Sequence, residues 1–376
     1  MEKLKFSFTE EQTVDFIIDT DREFKWLEKI DDFKFQRLFI YIDKNIEKKY
    51  GNTIKNAFSK LDKEIIYISL ESKESVKSII SLSENLLLLE KLGLSRFDCL
   101  VGIGGGVLID LISFMASVYM RGVPLILIPT TLMAQVDATT AGKTCINSPT
   151  SKNLLGTLYF AKKVYINTTF ISTLPNYELR QAFSEIFKYS LLNSNNLLKL
   201  LIKYNTEPNE KILIEVIKET IKARINIRNV DPLASNLGHT FGHAFESLSN
   251  FEIGHGDAIS AGLLMAIKFG EEVKVTKNGT FEKTRQLMNQ LGLNTQIEKN
   301  IDFNKVIQKM QTDKKSSNNS INLVLIKDYE QPFKQSENFP FYPTHSDVIY
   351  NFVNNYKETY PELFRKDLDK YLKLRK

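Results

Sequence analysis

The chain has 376 residues, 43% of them hydrophobic, so it is long enough to form two domains that each bury a core. Its 50 basic and 45 acidic residues are mixed along the sequence and leave a net charge of only +5, which gives no reason to expect a nucleic-acid partner. Cys99 and Cys145 are too few for a disulfide framework, and the sequence shows neither an apolar leader nor a run of about 18 apolar residues. We therefore expect a cytoplasmic protein with no membrane partner.

The first half of the chain predicts a parallel sheet. Short apolar, β-branched runs alternate there with stretches of helical spacing, such as VLIDLISFMASVYMRG. Strand–helix alternation of this kind is typical of a parallel sheet with helices on its faces. The predicted strands are RLFIYID, EIIYISL, DCLVGIGG, LILIPTT and KVYINTT.

A glycine triplet, Gly104 to Gly106, follows the strand DCLVGI and precedes a helix. Glycines at such a turn let the backbone approach a pyrophosphate, and the helix N-terminus offers free N–H groups to it. The spacing GGGxxxD differs from the GxGxxG fingerprint, so a tight turn without a ligand is the alternative.

The segment after the strand LILIP is rich in hydroxyl, amide and lysine side chains. It carries Asp137, Lys143, Lys152 and Asn153. A solvated surface loop can have this composition, but the length and polar density favour a loop that surrounds a ligand. Because a lysine ammonium is a compact point charge, we expect that ligand to carry a phosphate.

After Leu174 and Pro175 the apolar spacing becomes helical, with few strand signals. We therefore predict an α/β domain over residues 1–175 and a mainly α-helical domain over 176–376. Glu185 and Lys188, three residues apart, form either a surface ion pair or a polar pair directed into a cleft. The tail from Tyr342 onward predicts an additional helical segment without a chemical signature.

Three of the four histidines lie close together in the sequence. His239 and His243 are four residues apart, so on a helix they share one face, and a break at Gly254 lets His255 turn back towards them. Imidazole is the commonest neutral metal ligand, and a carboxylate such as Glu185 could complete a catalytic metal site. The alternative is a helix that carries incidental histidines.

Together these segments resemble the 3-dehydroquinate synthase superfamily, the sugar phosphate cyclases. The resemblance extends from Ile40 to about Leu325 and rests on the order of motifs that are weak singly. They are ESVKS, GIGGGVLID, YMRG, PTTLMAQVD, AGKT, SKN, TLP, SEIFKY, NLGHTFGHA, HGDA and DKK. The resemblance implies a Rossmann-like NAD-binding domain, an α-helical domain with one zinc or cobalt ion, a sugar phosphate substrate and a homodimer.

By position, the resemblance also implies a role for individual residues. The metal ligands would be Glu185, His239 and His255, whereas His243 would lie near the substrate phosphate. The cofactor contacts would be Asp43, Glu74, Lys77, Gly105, Gly106, Asp110, Thr130, Thr131, Lys152 and Thr173. The substrate contacts would be Asp137, Lys143, Asn153, Lys188, Lys222 and Asn236, with Arg121 reaching a phosphate across the dimer and either Lys314 or Lys315 as another phosphate ligand.

The reaction of the family explains these residue types. NAD⁺ oxidises a ring hydroxyl to a ketone with the metal as Lewis acid, and the ketone acidifies the neighbouring C–H so that phosphate can leave. NADH then returns the hydride, the ring opens, and an intramolecular aldol reaction closes a carbocycle. The family therefore needs clamps for one phosphorylated substrate and shows no net redox change.

The segment before the GHT motif departs from the family pattern. Dehydroquinate synthases carry a stretch resembling DExExGLR, whose arginine binds the substrate carboxylate. Here the stretch is shorter and Pro232 stands at the arginine position. The alternative is that Arg224 or Arg228 binds the carboxylate from elsewhere in the segment. A milder departure is Ala141, which stands where a glycine is usual.

We therefore expect a substrate without a carboxylate, such as a heptulose 7-phosphate, although the retained Asn236 is unusual for such relatives. A 3-dehydroquinate synthase is the first alternative. A dehydrogenase of the glycerol or iron-containing alcohol type is the second, but its reaction has no phosphate for Lys143 and Lys152 to hold. A catalytically inactive binding protein is the third, and the retained metal ligands argue against it.

Overall fold

The structure is a computed structural model that describes residues 12–33, 35–149, 152–249, 252–311, 320–336 and 339–365. The chain forms two compact units, Met1–Thr173 and Leu174–Lys376. Within the described ranges, no helix combines the length and the apolar character that crossing a bilayer requires.

The described part of the first unit contains a parallel sheet, three α-helices and a β-hairpin. Its strands are β1 (Asp15–Asp19), β2 (Arg37–Asp43), β3 (Glu64–Leu70), β4 (Cys99–Gly104), β5 (Leu125–Pro129), β6 (Lys143–Ile146), β7 (Leu155–Leu158) and β8 (Lys163–Asn167). Its α-helices are α1 (Lys44–Phe58), α2 (Ile79–Lys91) and α3 (Gly106–Val118). The sheet order is β1-β8-β5-β4-β2-β3 and every pairing in it is parallel.

All five strands predicted from the sequence belong to this sheet. Strands β2, β4, β5 and β8 are buried over nearly their whole length, as strands covered on both faces must be. The sequence prediction missed β1, an edge strand of sequence DFIID whose short apolar centre lies between aspartates. It also missed the antiparallel hairpin of β6 and β7, which lies in the segment expected to be a loop.

The strand order creates a switch point between β2 and β4. From β2 the chain winds outward to β3, then returns to the other side of β2 to form β4. In open parallel sheets, ligands bind in the crevice at the carboxyl ends of the two strands where the winding reverses. Ile42 pairs with Ile103, so Asp43 and the glycine triplet lie side by side at that crevice.

The described part of the second unit is mainly helical, as the sequence predicts. Its helices are α4 (Asn176–Asn193), α5 (Asn195–Thr206), α6 (Glu210–Val230), α7 (His239–Leu248), α8 (His255–Glu272), α9 (Thr280–Gln290), α10 (Phe303–Gln311) and α11 (Ser346–Thr359). The short strands are β9 (Ile297–Glu298), β10 (Ile321–Leu323), β11 (Ile326–Asp328), β12 (Gln331–Pro332), β13 (Tyr342–Thr344) and β14 (Phe364–Arg365).

Helices α7 and α8 touch through their backbones at glycines. Gly238, which precedes α7, has a φ of +77°, and a Cβ there would lie 2.7 Å from the backbone nitrogen of Leu263. A Cβ on Gly262 would lie 2.3 Å from the carbonyl oxygen of Gly238 and 2.6 Å from the nitrogen of Gly242. No side chain fits between the helices here, so their spacing is fixed by backbone contact.

The C-terminal helix α11 is part of the core of the second unit. Phe352 packs its ring 5.2 Å from that of Phe269 on α8 and 6.2 Å from that of Phe241 on α7. Tyr356, only 1% exposed, lies 6.1 Å from the ring of Phe281 on α9. Among the described residues of the tail, α11 is helical as predicted and packs buried aromatic rings against the helices that carry the histidines, whereas β13 and β14 are short strands.

Candidate functional site

Three elements of the second unit bring a carboxylate and two imidazoles together. Glu185 lies on α4, His239 is the first residue of α7, and His255 is the first residue of α8. One ligand atom of each lies within 4.8 Å of the others. The Oε1 atom of Glu185 is 3.6 Å from Nε2 of His239 and 3.7 Å from Nε2 of His255.

These three side chains fit a divalent cation. Oε1 of Glu185 is buried, and no donor among the described residues forms a hydrogen bond with it. Its separations of 3.6 and 3.7 Å from the two nitrogens are too long for hydrogen bonds. They are close to the distance of about 3.4 Å between two ligands that share a tetrahedral zinc ion at about 2.1 Å. Three protein ligands are also the number that catalytic zinc sites use.

Both imidazoles are oriented by hydrogen bonds at Nδ1. His239 Nδ1 lies 3.2 Å from the carbonyl oxygen of Leu237, and His255 Nδ1 lies 3.2 Å from Oε2 of Glu246. If Nδ1 carries the proton in each ring, Nε2 is left as the free lone pair, which is what a metal ligand needs.

The pKa values of the two imidazoles shift in opposite directions. Burial lowers the pKa of His239, and the positive charge of Lys188 lowers it further. Burial also opposes protonation of His255, but the carboxylate of Glu246 outweighs it and raises the pKa of that ring. Burial therefore dominates the shift of His239, whereas the hydrogen bond and the charge of Glu246 dominate the shift of His255.

Glu185 and Lys188 form a buried pair, so the surface interpretation of this pair is wrong. Each side chain is 1% exposed, and the Lys188 ammonium donates a hydrogen bond to Oε2 of Glu185. The same ammonium lies 4.4 Å from the ring centre of Tyr189. Lys188 thus contacts Oε2 of Glu185, and Oε1 of the same carboxylate faces the two imidazoles.

His243 shares the cluster without joining the group of possible ligand atoms. Its ring centre is 5.1 Å from that of His239 and 6.0 Å from that of His255. Among the residues the structure describes, the group that could hold a metal contains Glu185, His239 and His255 only. The obvious pair of histidines on one helix face therefore separates, with His243 beside the possible metal position.

A reciprocal contact ties α4 to α8 beside the cluster. Gln181 donates from Nε2 to Oδ2 of Asp257 over 2.8 Å, and the Asp257 backbone N–H donates to Oε1 of Gln181 over 3.1 Å. A Cβ on Gly256 would lie 2.2 Å from the carbonyl oxygen of Gln181, so the two helices meet closely. Sequence reasoning missed Gln181, although its position one turn before Glu185 was a usable signal.

In the first unit, a second polar cluster surrounds Lys77. Its ammonium, almost fully buried, lies 2.7 Å from Oδ2 of Asp110 and 2.6 Å from Oδ1 of Asn153. Burial opposes the charge on Lys77, but the carboxylate of Asp110 outweighs it, and the pKa of Lys77 is raised. The structure thus brings together three residues that the sequence analysis assigned to cofactor and substrate.

Cys145 belongs to the same cluster and was not expected there. Its sulfur lies 3.3 Å from Oδ2 of Asp110 and 3.1 Å from Oδ1 of Asn153. Burial and then the charge of Asp110 raise the pKa of the thiol to about 12, so it stays protonated and can donate. No sequence signal marks a lone cysteine for this role, because the contact depends on how the hairpin of β6 and β7 packs.

The glycine turn after β4 is open to a ligand. Helix α3 begins after Gly105 without a side-chain cap, so its first N–H groups are available. A Cβ on Gly105 would meet Thr131 at 3.1 Å, whereas a Cβ on Gly106 would meet no atom within 4 Å among the described residues outside its own turn of helix. Asp43 caps α1 through Oδ1, and Thr130 donates its N–H to the Gly104 carbonyl oxygen over 2.9 Å.

The other residues of the first unit that were predicted to contact the cofactor or the substrate lie on several different elements. Glu74 is exposed and accepts a hydrogen bond from the amide of Asn147 over 2.8 Å. Thr173 pairs with the hydroxyl of Tyr50 over 3.1 Å. Arg121 is exposed, with a left-handed φ of 65°. Asp137 lies in a π-helical turn, Lys143 begins β6 and is exposed, and Lys152 is half-buried in the hairpin connection.

In the second unit, two predicted substrate residues form hydrogen bonds with residues three positions before them in the sequence. Lys222 is exposed on α6, and its ammonium pairs with Glu219 over 2.7 Å. Asn236 donates from Nδ2 to the carbonyl oxygen of Leu233 over 3.0 Å. Lys314 and Lys315 lie outside the described residues.

The segment around Pro232, where the family pattern has an arginine, connects α6 to α7. Pro232 is exposed just after α6, in a turn that ends in a 3-10 segment, Ala234–Asn236. Arg224 is 4% exposed, and its guanidinium lies 5.4 Å from the ring centre of Tyr189. Arg228 is half-buried and donates to the side chain of Asn229 over 3.4 Å.

Comparison with known proteins agrees with this architecture. The family models described as 3-dehydroquinate synthase N-terminal and C-terminal match residues 67–181 and 182–316. The chain is 32% identical over 352 residues to 3-dehydroquinate synthase of Listeria monocytogenes serotype 4b (strain F2365), a match that covers 90% of this chain and 94% of the relative. It is 33% identical over 288 residues to that of Clostridium perfringens (strain 13 / Type A), covering 74% and 81%.

Solved structures share the fold. A 2-deoxy-scyllo-inosose synthase complexed with carbaglucose-6-phosphate, NAD⁺ and Co²⁺ has a TM-score of 0.78 at 20% identity, covering 90% of this chain and 96% of that one. ValA, a 2-epi-5-epi-valiolone synthase from Streptomyces hygroscopicus subsp. jinggangensis 5008 with NAD⁺ and Zn²⁺ bound, has a TM-score of 0.81 at 20% identity, covering 95% and 100%. An iron-containing alcohol dehydrogenase from Thermotoga maritima has a TM-score of 0.64 at 17% identity, covering 91% and 97%.

The fold and the two polar clusters define an enzyme in which a Rossmann-like α/β unit precedes an α-helical unit with a Glu-His-His group. Within that class, the chain belongs to the 3-dehydroquinate synthase family of sugar phosphate cyclases. The resemblance inferred from the ordered motifs is thereby confirmed.

Proposed function

We propose that this enzyme is an NAD- and metal-dependent cyclase whose sugar phosphate substrate has no carboxylate, such as a heptulose 7-phosphate. The observation that carries the proposal is the exposed Pro232 at the position of the family's carboxylate arginine. Proline offers no donor to a carboxylate. Arg224 is an unsuitable replacement, because its buried guanidinium lies against Tyr189 and would have to leave that contact.

NAD binding to the first unit is supported by the crevice between β2 and β4. The uncapped start of α3 and the empty space beside Gly106 suit a pyrophosphate, which needs backbone N–H groups at close range. Asp43 lies at the end of the neighbouring strand, where a carboxylate could accept hydrogen bonds from a ribose. Two solved relatives with this fold hold NAD⁺.

Metal binding to the second unit is supported by the orphaned Oε1 of Glu185 and the two Nε2 atoms facing it. Zn²⁺ or Co²⁺ suits one carboxylate and two imidazoles. The same two solved relatives hold Co²⁺ and Zn²⁺.

In this proposal the protein's own residues hold and orient one substrate through several steps. Lys188 holds the Glu185 carboxylate in place through its hydrogen bond to Oε2. His243, whose ring centre is 5.1 Å from that of His239, would exchange a proton with the substrate phosphate or a ring hydroxyl. Lys143, Asn153 and Arg121 would bind polar groups of the substrate, which converts the elimination and aldol steps into reactions of a positioned molecule. When bound, NAD⁺ supplies a reversible hydride acceptor and the metal a Lewis acid.

We further propose that the enzyme works as a homodimer in the cytoplasm. Cys99 and Cys145 are both free thiols, which suits a reducing compartment. The exposed Arg121 is available for a phosphate held by a second copy, as the resemblance implies.

A substrate panel tests the proposal. The metal-loaded protein would be incubated with NAD⁺ and, separately, sedoheptulose 7-phosphate, glucose 6-phosphate and 3-deoxy-arabino-heptulosonate 7-phosphate, while released phosphate and NADH absorbance are recorded. We expect phosphate release from sedoheptulose 7-phosphate without accumulation of NADH. A His239→Ala variant, which loses a possible metal ligand and leaves the buried pair of Glu185 and Lys188 intact, serves as the inactive control.

The second candidate function is 3-dehydroquinate synthase, which the curated relatives at 32% identity and the retained Asn236 favour. Efficient turnover of 3-deoxy-arabino-heptulosonate 7-phosphate would establish it and refute the interpretation of Pro232. A steady rise of NADH with glycerol would instead indicate a dehydrogenase.

A further inference from the structure

Glu246 occupies a distinctive position relative to the histidine cluster. It lies on α7, seven residues after His239, so both residues occupy the same face of that helix. It is 8% exposed, and its Oε2 lies 3.2 Å from Nδ1 of His255, which begins the next helix. One helix therefore provides a possible metal ligand and a carboxylate that contacts a second possible ligand.

The ring of His255 needs such a partner. Its side chain is 39% exposed, much more than the 12% of His239. His239 also has a backbone carbonyl at its Nδ1, whereas His255 has the side chain of Glu246 there. A rotation of the ring or a shift of its proton to Nε2 would remove the free lone pair that faces Glu185.

We propose that Glu246 is a positioning residue for the metal site: it accepts the Nδ1–H of His255 and so keeps Nε2 unprotonated and directed at Glu185. The role rests on the metal binding proposed above. A carboxylate behind a ligating imidazole fixes its tautomer and orientation, and loss of such a partner typically weakens metal binding about 10- to 100-fold. Glu246 touches neither substrate nor metal in this role, and it acts through His255.

The first test measures metal affinity. Metal-stripped wild type, Glu246→Ala and Glu246→Gln would be titrated with Zn²⁺ against a chromophoric chelator. We expect Glu246→Ala to bind Zn²⁺ about 10- to 100-fold more weakly than wild type. Glu246→Gln should lose less, because its amide oxygen can still accept the Nδ1–H. Glu207→Gln, an exposed carboxylate at the end of α5, is the matched control and should bind as wild type does.

The second test needs no metal and separates this inference from the proposed function. In the metal-free protein at alkaline pH, ¹⁵N NMR of the imidazoles should show His255 as the Nδ1–H tautomer in wild type and mainly the Nε2–H tautomer in Glu246→Ala. Wild-type zinc affinity in Glu246→Ala, or an unchanged tautomer, would overturn the role of Glu246. If the tautomer shifts as expected but wild type binds no metal, the metal-dependent function fails while the control of His255 by Glu246 stands.

Discussion

At the residue scale, Lys188 and Glu185 depend on each other because both charges are removed from water. Each side chain is 1% exposed, so neither can be rehydrated if its partner is lost. Breaking a buried pair by removing one partner is usually far more costly than replacing both with apolar groups. The two charges must therefore be kept or removed together, and both belong to the candidate site.

This dependence predicts that the effects of the two single substitutions on stability are not additive. Glu185→Leu should destabilise the metal-free protein by about 3–5 kcal/mol, because the Lys188 ammonium remains buried without its counter-charge. Lys188→Met alone should be similarly costly, and the double variant should recover most of the loss. Urea unfolding of the metal-stripped proteins measures each free energy, and additive single effects would contradict the prediction.

The residues of the site could be predicted from sequence only where their chemistry is local. The histidines stand out because the chain has only four, and their spacing places two on one helix face. Glu246 and Cys145 gave no such signal, because each acts through a contact made by packing of separate elements. For the same reason, Glu185 and Lys188 could not be told from a surface pair before the burial of α4 was known.

At the element scale, the backbone contact between α7 and α8 makes Gly262 a sensitive position. A Cβ there would lie 2.3 Å from the carbonyl oxygen of Gly238, so Gly262→Ala must push the helices apart. We expect a loss of about 1–3 kcal/mol in the free energy of unfolding, the usual cost of overpacking. Zinc affinity should fall as well, since α7 and α8 each begin with a possible ligand.

Urea unfolding and zinc titration of Gly262→Ala would check both effects. Gly51→Ala in α1 is the control, because the Cβ would meet only the flexible Glu47 side chain at 3.1 Å and alanine is the better helix former. Wild-type stability in Gly262→Ala would show that the helices can separate without cost.

An ion pair between Arg37, the first residue of β2, and Asp98, just before β4, should make the stability of the sheet depend on pH. Asp98, fully buried and directly before β4, accepts hydrogen bonds from Arg37 over 2.8 and 3.2 Å and from the Ser95 N–H over 2.7 Å. Burial raises the pKa of Asp98, but these bonds outweigh it, and the net pKa is lowered. A carboxyl with a lowered pKa stabilises the fold above its unfolded pKa of about 3.9, and that stability is lost as pH falls through the folded pKa.

Asp98→Asn should therefore destabilise the protein by about 3 kcal/mol at pH 7, with a smaller difference from wild type as pH falls below about 4. Urea unfolding at several pH values measures this difference. Glu23→Gln, which removes an exposed pair with Lys25, is the control. A constant difference across the whole pH range would contradict the assigned role of the charge.

A strand of the sheet could be predicted from the sequence where it is buried on both faces, because such a strand is a continuous run of apolar residues. Strands β2, β4, β5 and β8 are covered on both faces, so their sequences are continuous in apolar residues. The hairpin of β6 and β7 has partly exposed strands, of pattern KTCI and LGTL, and polar residues between them. Its pairing was invisible from sequence because polar strands resemble a ligand-binding loop.

At the scale of the whole molecule, we propose that NAD⁺ and the metal ion bind to different units. A ligand stabilises the state to which it binds, by about 2.7 kcal/mol at a concentration 100 times its dissociation constant. Local opening reactions of the binding elements should slow accordingly, while elements that open independently of the ligand should not change. Each cofactor thus predicts its own pattern of protection along the chain.

Hydrogen exchange with mass spectrometry reads that pattern. We expect Zn²⁺ to protect peptides of α4, α7 and α8 that contain Glu185, His239 and His255, because their ligand atoms already lie within 4.8 Å. We expect NAD⁺ to protect the turn between β4 and α3 and the hairpin of β6 and β7. His239→Ala should abolish the zinc-dependent protection while leaving the NAD-dependent protection intact, since that histidine is outside the first unit. Zinc-dependent protection that survives in His239→Ala would mean that the metal binds elsewhere.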